Sequence, residues 1–126
     1  MDFAKLEQLE SNLEKGELER ITYFAERLDF LDIQILREFY MTGNDFPFDS
    51  QPHCFPILFR NMKMNHRLNI GVEALRKRIN RLAKYNFIEK IDRCNPTNYL
   101  PVKGREEFTR AVILKFFLLH GLSKFV

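Results

Sequence analysis

Residues 68–93 read LNIGVEALRKRINRLAKYNFIEKIDR, and their pattern decides the fold. An α-helix advances about 100° per residue. On that wheel Val72, Leu75, Ile79 and Leu82 fall on one side. Glu73, Lys77, Asn80, Arg81 and Lys84 fall on the opposite side, with Arg76 and Arg78 on the flanks. One face suits a core and the other suits a polyanion. For any single charged helix the plainer reading is a solvated face, so the neighbouring segments must carry the argument.

Downstream, the helix ends near Tyr85-Asn86, where Asn86 suits a left-handed cap. Phe87–Arg93 then alternates, which predicts a strand. Asn95-Pro96-Thr97-Asn98 is a turn cluster, and Tyr99–Val102 predicts a second strand, so the pair forms a hairpin at about Phe87–Val102. Pro101 must sit where the ladder needs no donor.

Upstream, Met1–Leu28 reads as helix. Leu6, Leu9 and Leu13 are spaced three and four apart, Gly16 interrupts, and Leu18, Ile21, Phe24, Ala25 and Leu28 resume the stripe. Such a helix is marginal alone and needs a partner, in its own domain or in a second subunit. Asp29–Met41 predicts another helix, capped by Asp29, with Asp32 in the first turn and Leu31, Ile35, Leu36 and Phe39 inward. Thr42-Gly43-Asn44 ends it. Asp45–Phe55 is extended, with a short edge strand expected at Phe46 and Phe48 beside Pro47 and Pro52. Pro56–Met64 is a helix with Pro56 in its first turn. Arg105–His120 is a helix that is apolar almost all round after Ala111, which asks for burial on both sides.

Helix, short strand, helix, turn, basic helix, hairpin is the order of a winged helix-turn-helix. The residues also resemble known families. Leu28-Asp29-x-x-Asp32-x-x-Ile35-Leu36-x-x-Phe39 resembles the opening helix of leucine-responsive/AsnC-type regulators. Leu68-Asn69-Ile70-Gly71-Val72-Glu73-Ala74-Leu75-x-x-Arg78-Ile79-x-Arg81-Leu82 is similar to their turn and recognition helix, and Asn86-Phe87-Ile88 to their exit into the wing. Tyr99-Leu100-Pro101-Val102-Lys103-Gly104-Arg105-Glu106 resembles the second wing strand and helix start of MarR-type regulators. The resemblance spans about residues 28–110. It departs between Ser50 and Ile70, where the chain is longer than in a minimal helix-turn-helix. After Arg110 one apolar helix stands where the leucine-responsive family has a ligand-binding domain.

Charge is uneven along the 126 residues. Net charge is −7 over residues 1–50 and +10 over residues 51–126, with +7 in 60–93 alone. That points to one phosphate-facing side and one side turned away from it. The thirteen Phe, spread along a chain with no Trp, read as core and interface filling. Cys54 and Cys94 are expected as thiols in a cytoplasmic protein, since no stretch resembles a secretory leader. No apolar run nears the ~18–20 residues of a membrane span. His53, Cys54, His66, Cys94 and His120 lack metal-ligand spacing, so neither a metal nor a cofactor is expected. No phosphate-binding glycine loop or nucleophile motif occurs, and the expectation is no enzyme.

The sequence therefore predicts a mainly α, single winged-helix domain: an N-terminal helix (1–28), a winged-helix core with a two-stranded wing (29–103), and a C-terminal helix (104–126). The expected function is sequence-specific binding of double-stranded DNA by a homodimeric prokaryotic transcription regulator. DNA contacts fall to Glu73, Lys77, Asn80 and Arg81 at base edges, Arg76 and Lys84 at bases or phosphates, and Arg93 in the wing. The dimer interface falls to Val112, Ile113, Phe116, Phe117, Leu119 and Leu122, with help from the N-terminal helix. The alternatives are a protein-binding winged helix and a small-ligand sensor.

Overall fold

A computed structural model of the chain describes residues 3–11, 13–40, 53–67, 69–91 and 97–121. It is mainly helical. The order is α1 (Phe3–Ser11), α2 (Lys15–Arg27), α3 (Phe30–Tyr40), β1 (His53–Cys54), α4 (Phe55–His66), α5 (Val72–Lys84), β2 (Ile88–Ile91), β3 (Asn98–Pro101) and α6 (Glu106–Leu119).

The N-terminal segment is two helices, not one interrupted at Gly16. The break falls earlier, and Gly16 lies in the first turn of α2. Backbone N–H groups there have no intrahelical partner to lose, so a glycine costs little. Leu6, Ile21, Phe24, Ala25 and Leu28 are buried, as the stripe predicts.

α3 begins with a reciprocal cap. Asp32 N–H donates to Asp29 Oδ1 at 2.9 Å, and Asp29 N–H donates to Asp32 Oδ2 at 3.2 Å. This is a capping box with Asp in the place of the usual Glu. The helix is buried on nearly every side, because α4, α5, α6 and β3 all pack against it. Ile33 is fully buried although it stands off the expected stripe, whereas Leu31 is only half-buried.

α5 puts Leu75, Ile79 and Leu82 in the core. Val72 does not join them: it is 41% exposed, being the first residue of the helix and ahead of the packed turns. The C-terminus closes as the cap residue predicts. Asn86 takes φ 65°, Asn86 N–H donates to Ala83 O, and Phe87 N–H donates to Leu82 O, both at 3.0 Å. That pair of bonds is a Schellman motif, which reverses the chain into β2.

The hairpin is present and gains a third strand. The sheet order is β1-β3-β2, all antiparallel. β2 and β3 pair from Ile88↔Pro101 to Ile91↔Asn98. β1 pairs only with Asn98 and Tyr99, so no ladder remains on that side of β3 at Pro101. The edge strand expected at Phe46 and Phe48 lies outside the described residues. Tyr40 ties α3 to this sheet: its hydroxyl donates to Phe87 O at 2.6 Å and accepts Val102 N–H at 2.9 Å. Burial pushes its phenol above the ordinary tyrosine range.

α6 corrects the sequence reading most. The sequence pattern places Val112, Ile113, Phe116 and Phe117 at a dimer interface, as more apolar surface than one domain covers. One chain covers them completely: all four are 0–2% exposed. α1 and α2 lie along α6 on one side and α3 on another. The N-terminal helices do the covering that a second copy was invoked to do. Leu118 and Leu119, at the end of α6, stay 47% exposed; Leu122 lies outside the described residues.

Two outcomes follow. Ile113→Asp or Phe117→Asp should abolish cooperative thermal unfolding, because each places an unpaired charge in the chain's own core; a folded monomer with a parent-like melt would refute this. Tyr40→Phe leaves the Phe87 carbonyl and Val102 N–H without their shared partner, and should lower stability by about 1–3 kcal/mol in a urea titration.

Candidate nucleic-acid interface

The outward side of α5 follows from the same periodicity that buries Leu75, Ile79 and Leu82. Glu73, Arg76, Lys77, Arg81 and Lys84 are exposed and Asn80 is half-buried. The structure thus puts the six predicted α5 residues on one side of one helix, but it gives them different partners. Arg93 lies outside the described residues.

Glu73 and Arg76 bind one another, Arg76 Nη1 donating to Glu73 Oε1 at 2.7 Å. The Arg76 guanidinium also sits 4.6 Å from the centre of the Phe55 ring on α4, a cation–π contact that leads it back to the protein. Lys90 Nζ on β2 donates to Asn80 Oδ1 at 3.3 Å. Lys77 and Lys84 make no ion pair or hydrogen bond among the described residues. They are the cations of this helix left entirely to solvent or a ligand.

Arg78 and Arg81 face the start of α3. Arg78 Nη1 donates to both carboxylate oxygens of Asp29, at 2.7 and 2.5 Å, and to Asp32 Oδ1 at 3.2 Å. Arg81 Nη2 donates to Asp32 Oδ2. Asp32 is fully buried. Burial, together with the neighbouring Asp29 charge, pushes the Asp32 carboxyl above the usual range, even with two guanidinium groups beside it. Partial burial acts on Asp29 in the same direction, but the Arg78 hydrogen bond and charge outweigh it and hold that carboxyl below the usual range. Each charge also suits its own helix: carboxylates at the N-terminus of α3, guanidiniums in the C-terminal half of α5.

Arg81, expected at a base edge, is also anchored to the core through Asp32. Composition could not reveal the link, because Asp29 and Arg78 are far apart in sequence. The signal that exists is paired spacing: Asp-x-x-Asp opens one amphipathic helix and Arg-x-x-Arg closes another, so each pair presents both charges on one face.

Two further groups shape the surface. Arg105 caps the far end of α5: its Nε donates to Asn86 O at 3.2 Å and its Nη2 to Tyr85 O at 3.3 Å, while its guanidinium lies 4.2 Å from the Phe108 ring centre. The exposed Arg60 and Lys63 on α4, with Arg67 at its left-handed C-cap, add positive charge that the sequence reading did not single out. The i, i+3 spacing of Arg60 and Lys63 was the available signal. On the inner side of α4, His66 Nε2 meets buried Glu38 at 2.9 Å, tying α4 to α3. No cluster of three or more His, Cys, Asp or Glu that could hold a metal occurs among the described residues. No described helix is long and apolar enough to cross a membrane.

The two kinds of cation predict different variants. Lys77→Ala should change stability by no more than roughly 0.5 kcal/mol, as at other exposed sites. Asp32→Ala removes a cap and the partner of two guanidiniums, and should cost about 2–3 kcal/mol. Chemical denaturation of the two variants side by side checks the contrast, and equal losses would refute it. No protein family, curated protein or solved structure matches the chain.

Proposed function

We propose that this chain is a winged helix-turn-helix protein that binds double-stranded DNA sequence-specifically and acts as a homodimeric transcription regulator. The observation that carries the reading is the outer face of α5, with Lys77 and Lys84 unpaired among the described residues, on a helix that follows α4 through a short turn and leads into the β2–β3 hairpin. The element order α3, β1, α4, α5, β2, β3 and the strand order β1-β3-β2 fit that fold. α5 enters the major groove, where base edges carry a distinct donor and acceptor code. The N-terminal part of a recognition helix reaches deepest, which gives base reading to Lys77 and to the Glu73–Arg76 pair. Arg60, Lys63, Arg67 and Lys84 supply the sequence-independent phosphate attraction. For the dimer, the exposed apolar side chains beside α6 are Leu118 and Leu119, with Phe30, which is 41% exposed and meets the Phe117 ring.

A protein-binding module is the second reading, and one observation favours it. Arg76, Arg78 and Arg81 already have carboxylate partners, while Ile57 and Met64 stand exposed on the basic side of α4. A partner that is both acidic and apolar would suit that mixture.

Titration against a mixed duplex pool at several salt concentrations separates the two. The DNA reading expects affinity that falls steeply with salt. Lys77→Ala should lose ~1–3 kcal/mol on the preferred duplex and relax sequence choice. A Lys77→Ala protein that binds every duplex like the parent would remove α5 as the reader. Sedimentation tests the assembly: Leu118→Arg with Leu119→Arg should turn dimer into folded monomer.

A further inference from the structure

Arg81 is held by one nitrogen. One of the two N–H groups of its Nη2 is given to Asp32, yet the side chain remains 47% exposed. A guanidinium carries five N–H donors in a planar fork. Nε and Nη1 of Arg81 make no hydrogen bond among the described residues. Arg78 differs: its Nη1 meets three carboxylate oxygens and its side chain is 29% exposed.

The anchor itself is rigid. Asp32 is 0% exposed, lies in the first turn of α3, and accepts Asp29 N–H while Asp29 accepts Asp32 N–H. Its carboxylate has little freedom to turn. A guanidinium fixed by such a group surrenders less rotamer freedom when it meets an acceptor than a free arginine does. Arg81 also stands in the last turn of α5. Recognition helices reach base edges with their N-terminal residues, so the C-terminal end meets the DNA backbone.

We propose that Asp32 is a positioning residue for a phosphate contact: it holds Arg81 by one N–H of Nη2 so that the two-donor edge of the guanidinium left open faces a backbone phosphate of duplex DNA. This rests on the DNA-binding reading above and specifies what one arginine does within it. Arg81 thereby moves from base edge to backbone, and a carboxylate that touches no DNA becomes part of the binding surface. The planar fork is what matters, because phosphate geometry matches two parallel N–H donors better than a point charge.

The test is a double-mutant cycle in binding. Parent, Arg81→Ala, Asp32→Asn and the double variant are titrated with a random-sequence duplex pool at several salt concentrations, with folding checked by circular dichroism. Arg81→Ala should weaken binding about tenfold on all duplexes alike and reduce the salt slope by about one. Asp32→Asn should weaken the parent but have no further effect once Arg81 is Ala. Losses that simply multiply would make Asp32 a structural residue only and overturn the proposal. Relaxed sequence choice in Arg81→Ala would place Arg81 on a base and overturn it too. Arg81→Lys, which keeps the charge and the native Asp32, covers the case of an unfolded Asp32→Asn: it should keep the parent's salt slope but bind more weakly, and parent-like binding would overturn the fork argument. Lys77→Ala separates the two levels. If it weakens binding while Arg81→Ala does not, DNA reading stands and this proposal falls. A parent that binds no duplex removes both.

Discussion

The buried carboxylate of Asp32 is the constraint on which the arrangement of α3 and α5 depends. It has three duties at once: it accepts Asp29 N–H at the helix start, an Arg78 donor on one oxygen and an Arg81 donor on the other. A buried carboxylate without partners would be far costlier than its ion pairs are stabilising, so the charge works mainly as a specification of geometry. α5 has one rotation about its axis that brings Arg78 and Arg81 to the α3 N-terminus, and the same rotation seats Leu75, Ile79 and Leu82 in the core. Apolar packing alone would permit small rolls of the helix. The two guanidiniums remove them, and the outward direction of Lys77 and Lys84 is set as a result.

The parts of this fold that were legible in the sequence are those written in local chemistry. The α5 stripe, the Asn86 cap, the Asp29 cap and the β2–β3 hairpin each depend on residues within a few positions of one another. What was not legible depends on distant segments meeting. α6 looked too apolar for one domain because its pattern was weighed alone; α1 and α2, about a hundred residues earlier in the chain, cover it. The charge asymmetry misled in a related way. An acidic first half and a basic second half were read as two opposed sides of the molecule. At α3 and α5 they are instead partners, because the acidic half supplies Asp29 and Asp32 to the basic half's Arg78 and Arg81.

The same argument applies to the exit from α5. Asn86 was readable as a left-handed cap, and the Schellman bonds depend on it alone. The support for that cap is not local. Arg105 arrives from the start of α6 to bind the Tyr85 and Asn86 carbonyls, and Tyr40 arrives from α3 to bind the Phe87 carbonyl. Three consecutive carbonyls at the end of one helix are therefore satisfied by side chains from two others. The hairpin leaves α5 in one direction because of these contacts. Its position relative to the exposed lysines is a property of the whole core, and not of the turn sequence.

This pairing changes what a count of basic residues means. Each cation that neutralises a phosphate releases a condensed counterion, and that release makes DNA affinity depend on salt. A cation already joined to a carboxylate contributes less unless the pair opens or, as proposed for Arg81, shares its donors. Residues 60–93 hold ten basic side chains, but Arg76, Arg78 and Arg81 are in ion pairs. The surface available to a polyanion is accordingly smaller and more directional than the net charge of +7 in that segment implies. Among the described residues it includes Lys77 and Lys84 on α5, the exposed Arg60 and Lys63 on α4 with Arg67 just past its end, and the outward part of Arg81. On the DNA-binding reading proposed above, such a surface would attract nucleic acid less strongly at random and leave proportionally more of the binding energy to contacts that distinguish one sequence from another.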